Sequence, residues 1–217
     1  AGASHPLEAW DWRYWAEQVR QARYALDDAE LKPYFPLPAM VTAAFECAER
    51  LFGLRFTART DLAGYHPDVA VYQVDSDDGT PVGLFLQDNF ARPAKRSGAW
   101  MSVLAQQHRN SADGQPQLPV VLNNNNFARG EPGTPTLLSP DDVRTLFHEF
   151  GHGLHGLLSN VGYRRMSGTQ VLRDFVELPS QLFEHWGQDP AVLRRHARHW
   201  QTGEAIPDAL LAKIAAA

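Results

Sequence analysis

The 217-residue chain carries 20 Lys and Arg against 25 Asp and Glu, a net charge of −5 and a pI near 6.0. That balance argues against a surface for nucleic acid or anionic membrane. With 44% hydrophobic and 21% charged residues the composition is that of a soluble globular domain, and no apolar run approaches the ~18 residues needed to span a bilayer.

The single cysteine, Cys47, excludes an internal disulfide. The opening "AGASHPLEAW" lacks a basic segment followed by an apolar one, so no signal peptide is expected. Together these point to a reducing, cytoplasmic setting.

"HPLEAWDWRYWAEQVRQARYALDDAELKPYF" predicts one helix from about Leu7 to Leu31, with Trp15, Val19, Ala22 and Leu26 on its apolar face and Pro33 stopping it. Trp10, Trp12 and Trp15 read as aromatic core. A second helix is expected over roughly Ala39–Phe52, closed by Gly53. The period then changes: "DVAVYQVDSDDGTPVGLFLQDNF" alternates, and Asp77-Asp78-Gly79 marks the turn of a hairpin. "ARPAKRSGAWMSVLAQQH" reads as a loop leading into a short helix. "QLPVVLNNNNFARG" gives a strand from Leu118 to about Phe127, and "GEPGTPTLLS" a loop with room for one short strand. From Ser139 to about Ile206 the pattern is helical throughout. The fold class is therefore α+β and predominantly helical, with a small, mostly antiparallel sheet.

"TLFHEFGHGLHGLL", residues 145–158, holds the chemistry. Ser139 is placed to N-cap its helix, with Pro140 at the first helical position and Asp142 closing a capping box. Leu146, Phe147, Phe150, Leu154, Leu157 and Leu158 fall on one side. His148 and His152 fall opposite, at about 140° and 180° from Val143 on a 100° helical wheel. Two imidazoles one turn apart can reach a single ion. With Glu149 they form HExxH, in which the histidines bind zinc and the glutamate serves as general base; Gly151 and Gly153 keep the surroundings small.

A two-histidine site needs a third protein ligand, leaving the fourth position for water. The HExxHxxGxxH pattern is excluded because position 155 is His and position 158 is Leu. His155 shares the histidine face a turn further on and reads as structural or as a partner of a ligand. "RDFVELPSQLFEHW" supplies Asp174, Glu177 and Glu184, and on spacing alone Glu177 and Asp174 are rivals.

"FHEFGHGLH" followed by "SGTQVLRDFVELPSQLFEHW" resembles the thimet-oligopeptidase family of zinc peptidases, and within it the bacterial peptidyl-dipeptidase branch. "AWDWRYWAEQVRQARYALDDAELKPYF", "LFGLRF", "YHPDVAVYQV" and "FARPAKRSGAWM" extend the resemblance over almost the whole chain. The resemblance implies a zincin-like catalytic lobe over residues 1–217 holding one Zn2+ on His148, His152 and Glu177, with Glu149 as general base. It implies hydrolysis of short peptides, with release of C-terminal dipeptides. Internal cleavage by an endo-oligopeptidase is one alternative, and a zinc-stabilised peptide-binding piece without turnover is the other.

Asp174 and Gln181 flank Glu177 as candidates to support it, and Pro179 suggests a kink or a helix start just beyond. Arg164, Arg165 and Arg173 are candidate anchors for a substrate carboxylate. By resemblance "VVLNNNNFARG" fills the edge-strand position along which a peptide lies, its asparagines capping backbone groups, touching peptide, or forming a polar edge. Members of that family are about three times as long, so the chain reads as a fragment of the catalytic half. The N- and C-terminal parts of a parent chain are expected to pack on this lobe, and with them would come tyrosine and histidine contacts to the oxyanion. The last tyrosine here is Tyr163.

Overall fold

A computed structural model of the chain describes residues 6–24 and 27–216. Its first helix, α1, is Trp12–Tyr24, and α2 is Asp28–Leu31, followed by a 3-10 turn at Lys32–Tyr34. The single helix expected over Leu7–Leu31 is thus two, because Asp27 adopts an extended backbone and its side chain accepts from Ala29 N at 2.8 Å. That cap begins a new helix rather than continuing the old one. Leu26, expected on the apolar face, lies outside the described residues. Trp10 and Trp12 are 78% and 70% exposed, so the aromatic-core reading fails for both.

Helix α3, Leu37–Phe52, opens after the extended Pro36 and ends at Gly53, whose φ of 67° lies in the left-handed region that a side chain resists. Five strands follow: β1 Leu54–Ala58, β2 Val69–Ser76, β3 Pro81–Phe90, β4 Trp100–Ala105 and β5 Val120–Phe127. They form one sheet in the order β1-β2-β3-β5-β4, antiparallel except where β3 meets β5. The β2–β3 hairpin turns at residues 77–79, as its Asp-Asp-Gly predicts.

Two expectations fail here. "AWMSVLA" is a strand, β4, where a helix was expected. The residues have moderate helix propensity, but pairing with β5 along Trp100–Asn124 to Ala105–Val120 overrides it. Since β4 takes the edge, β5 is interior, and the edge-strand role assigned to "VVLNNNNFARG" moves to Trp100–Ala105.

The last third is not continuously helical. Helix α4, Pro140–Leu157, is followed by a loop with a 3-10 turn at Arg164–Met166, then α5 Arg173–Val176, α6 Leu178–Gln188, α7 Pro190–His196 and α8 Asp208–Ala216. The short strand allowed in "GEPGTPTLLS" is a single bridge, Leu137 to Pro36.

The helices cover one face of the sheet. Phe85 and Val121 join α3, α4 and Phe183 of α6 in the main core, and Phe45, Phe56, Phe85 and Phe150 pack ring on ring with centroids 4.2–6.2 Å apart. The opposite face carries a smaller cluster of Val69, Val71, Leu86 and Leu122. The architecture is α+β, as composition and period indicate. No described helix is long and apolar enough to cross a membrane.

Candidate metal centre

Helix α4 begins as its sequence dictates. Ser139 Oγ accepts from Asp142 N at 3.1 Å while the Asp142 carboxylate accepts from Ser139 N at 2.9 Å, so the capping box is closed in both directions. The apolar side, Leu146, Phe147, Phe150, Leu154 and Leu157, is buried, whereas Leu158 at the end is exposed. The helix is hemmed in on other sides as well. A Cβ at Gly151 would stand 2.7 Å from Ser180 Cα, and one at Gly156 would stand 3.0 Å from Val121 Cγ2. Only glycine lets α6 and the sheet approach this closely.

The opposite side presents His148 and His152, with ring centroids 4.8 Å apart. Glu177 comes to them from the junction between α5 and α6, where it caps α6 just ahead of Pro179. Its Oε2 is 3.2 Å from His148 Nε2 and 3.1 Å from His152 Nε2. One donor atom from each residue lies within 4.8 Å of the others, and among the described residues this is the group of three suited to an ion. Of the two carboxylates left open by spacing, Glu177 converges on the histidines, while Asp174 is exposed and outside the group.

The donor set fits zinc. His148 Nδ1 meets Glu184 Oε1 at 2.6 Å, which places the ring proton on Nδ1 and leaves the Nε2 lone pair for a metal. Burial lowers the pKa of His152, favouring the neutral imidazole that a metal requires. Ser180 Oγ donates to the Glu177 backbone carbonyl at 2.9 Å and lies 3.0 Å from its Oε2. Glu184 and Ser180 are thus the residues that touch the ligands, while Gln181 is exposed. Glu184 was visible in the sequence as a carboxylate two helical turns beyond Glu177. Ser180 gave no signal of its own.

Glu149 is 6% exposed and its Oε2 has no hydrogen-bond partner. Burial pushes its carboxyl up to about 7, with Glu177 adding to the rise and His148 opposing it. A carboxylate poised near neutral pH beside a ligand set is suited to taking and returning a proton. A cleft of about 320 Å³ opens here, with Trp100 and Met101 of β4 on one side and His148, Glu149, His152 and Glu177 on the other.

The remaining candidates lie elsewhere. His155 stands outside the ligand group, with its ring centroid 6.2 Å from that of Phe175. Arg164, Arg165 and Arg173 are exposed, and neither they nor Tyr163 line the cleft. The asparagine run is not a polar edge: Asn123, Asn124 and Asn125 are buried, and Asn126 Nδ2 donates to Arg96 O and Gly98 O in the loop before β4.

A larger apolar depression of about 620 Å³ shares no residue with the cleft. Leu51, Phe52, Leu158, Met166, Leu182 and Trp186 are among its walls.

Residues 2–217 match the model of "Peptidase family M3". The chain is 46% identical over 208 residues, 95% of its length, to dipeptidyl carboxypeptidase of Escherichia coli. It is 41% identical over 212 residues, 97% of its length, to oligopeptidase A of Salmonella typhimurium. It is 36% identical over 210 residues, 96% of its length, to a mitochondrial intermediate peptidase of Arabidopsis thaliana. These alignments cover 30%, 31% and 30% of the respective relatives, so the chain spans about a third of the length of the curated relatives it matches. With a family match along nearly the whole sequence, this chain belongs to peptidase family M3.

Proposed function

We propose that residues 1–217 form one catalytic lobe of a zinc-dependent peptidase that hydrolyses peptide bonds in short peptides and releases C-terminal dipeptides. The observation that carries this reading is the convergence of His148 Nε2, His152 Nε2 and Glu177 Oε2 beside the buried carboxyl of Glu149. Zinc held by those three residues would supply Lewis acidity, lowering the pKa of a water and polarising a carbonyl.

The chain's own residues do the rest. Glu149 accepts the proton of the attacking water and returns it to the departing amine. Edge strand β4 offers unpaired backbone groups beside the cleft, so a peptide can add as a further strand, a mode that reads backbone before side chains.

Dipeptide release is favoured over internal cleavage because the two dipeptidyl carboxypeptidases show 46% and 47% identity, against 41% for oligopeptidase A. The lone, buried Cys47 supports action in a reducing, cytoplasmic compartment. The exposed apolar depression beside α6, in a chain about a third the length of its relatives, is the face on which further polypeptide of a longer protein packs.

The test is zinc content and peptide cleavage of wild type beside Glu149→Gln, with products read by mass spectrometry. Equal zinc with dipeptide ladders in wild type alone supports the reading. Internal cuts convert it to an endo-oligopeptidase, and zinc without turnover in either protein leaves a peptide-binding module. Absence of zinc from wild type overturns it.

A further inference from the structure

The two histidine ligands differ in what holds them. His148 Nδ1 has Glu184, but His152 Nδ1 is sealed from solvent with no side-chain or backbone partner. A ligating imidazole whose second nitrogen is unpaired is free to rotate or to change tautomer, and either loses the metal.

Strand β5 passes beneath this turn of α4. Asn123 is 0% exposed, and both atoms of its carboxamide, Oδ1 and Nδ2, lack partners. A Cβ built on Gly153, the residue after His152, would stand 3.3 Å from Asn123 Oδ1 and 3.5 Å from Nδ2. The carboxamide therefore faces α4 at the turn that carries His152, and glycine keeps the space between them clear. The cross-strand partner of Asn123 is Met101, which lines the metal cleft together with His152. Opposed residues of an antiparallel pair project to the same face of a sheet, which directs Asn123 toward the ligand as well.

Three orphaned polar atoms in one buried layer are costly unless they share a partner, since buried donors and acceptors in native proteins are almost always satisfied. A water is small enough to serve, and it needs two to four polar neighbours to be held. We propose that Asn123 is a positioning residue for the metal ligand His152, acting through one internal water. That water accepts the Nδ1–H of His152 and donates to Asn123 Oδ1, fixing the ring with Nε2 toward Glu177. Asn125 Oδ1, two residues on along the same face, is a further unpartnered acceptor within the layer.

The inference rests on the zinc reading but is separable from it. Zinc affinity is measured by chelator competition on the 217-residue chain for wild type, Asn123→Leu and Asn123→Ser. Leucine removes both polar atoms while keeping the branched outline, and the expected loss is about 10- to 100-fold. Serine keeps an oxygen and leaves room for water, and is expected to recover most of the affinity. Leucine binding zinc as tightly as wild type overturns the proposal.

A second measurement needs no variant. On the ¹⁵N-histidine-labelled chain, His152 is expected as the Nδ1–H tautomer with a proton protected from solvent exchange, whether or not zinc is present. Exchange at the rate of bulk imidazole overturns the proposal even if Asn123→Leu fails to fold. Failure of wild type to bind zinc overturns the proposed function instead, and the imidazole proton then decides this inference alone.

Discussion

His148 Nδ1 and Glu184 Oε1 lie 2.6 Å apart, joining a residue of α4 to one that lies two turns into α6. Glu177 is the N-cap of the same α6, so a single helix would deliver both a ligand and the group that orients another ligand. Glu184→Ala is expected to weaken zinc binding about 10- to 100-fold while leaving the fold intact, because the ring loses its orienting acceptor. Glu184→Gln, which keeps an oxygen, should lose less. Chelator competition against melting temperature checks both.

Gly151 sets the distance between α4 and α6. Gly151→Ala would bring a Cβ to 2.7 Å from Ser180 Cα and 2.9 Å from Pro179 O, and backbone atoms cannot swing aside as a side-chain tip can. The expected cost is about 1–3 kcal/mol of stability, read as a lower urea midpoint. Because the clash pushes directly against the residues after Glu177, zinc affinity should fall with it.

A buried ionic group supplies a dependence on pH. Asp88 is 0% exposed; burial pushes its carboxyl up, but Arg92, Tyr65 and Lys95 outweigh that and hold it down to about 2. Tyr65 donates to it at 2.5 Å, Arg92 binds it through both terminal nitrogens, and Lys95 Nζ reaches its Oδ1 at 3.1 Å and also the carbonyl of Asn125. The folded value lies below the ordinary carboxylate value of about 4 that applies when unfolded. The unfolded chain therefore binds more protons in that interval. The contribution is present above about pH 4 and is lost as pH falls toward 2. Urea midpoints across pH 2–5 should fall more steeply for wild type than for Asp88→Asn. That variant should itself cost about 3–5 kcal/mol at neutral pH, because it leaves Arg92 and Lys95 without their counter-charge.

Cys47 is buried on α3, and burial, with Glu46 beside it, pushes its thiol up to about 11. The thiolate is the reactive form, so at pH 8 the folded chain should resist a disulfide reagent that labels it fully in denaturant. Labelling at the same rate in both states would show that α3 opens readily.

Helix α4 was legible because every signal in it agreed. Ser139, Pro140 and Asp142 mark its start, and the apolar and histidine faces separate cleanly on the wheel. The β2–β3 hairpin was legible for the same reason. Strand β4 was not, because "WMSVLA" has no clean alternation and its state is decided by β5, which only the fold places beside it. Missing that strand also put β5 at the edge and its asparagines toward solvent. Trp10 and Trp12 misled in another way, since hydrophobicity states what a side chain prefers and not whether a partner surface is available. Glu177 needed the resemblance, as spacing alone allowed Asp174, and the α5–α6 junction that separates them has no strong mark beyond Pro179.

Asn126 ties the carbonyls of Arg96 and Gly98 to the end of β5. The loop that leads into edge strand β4 is therefore fastened to an interior strand. One interior strand thus carries Asn123 under the turn of His152 and Asn126 under the loop before β4, so a shift of β5 would move both walls of the cleft together.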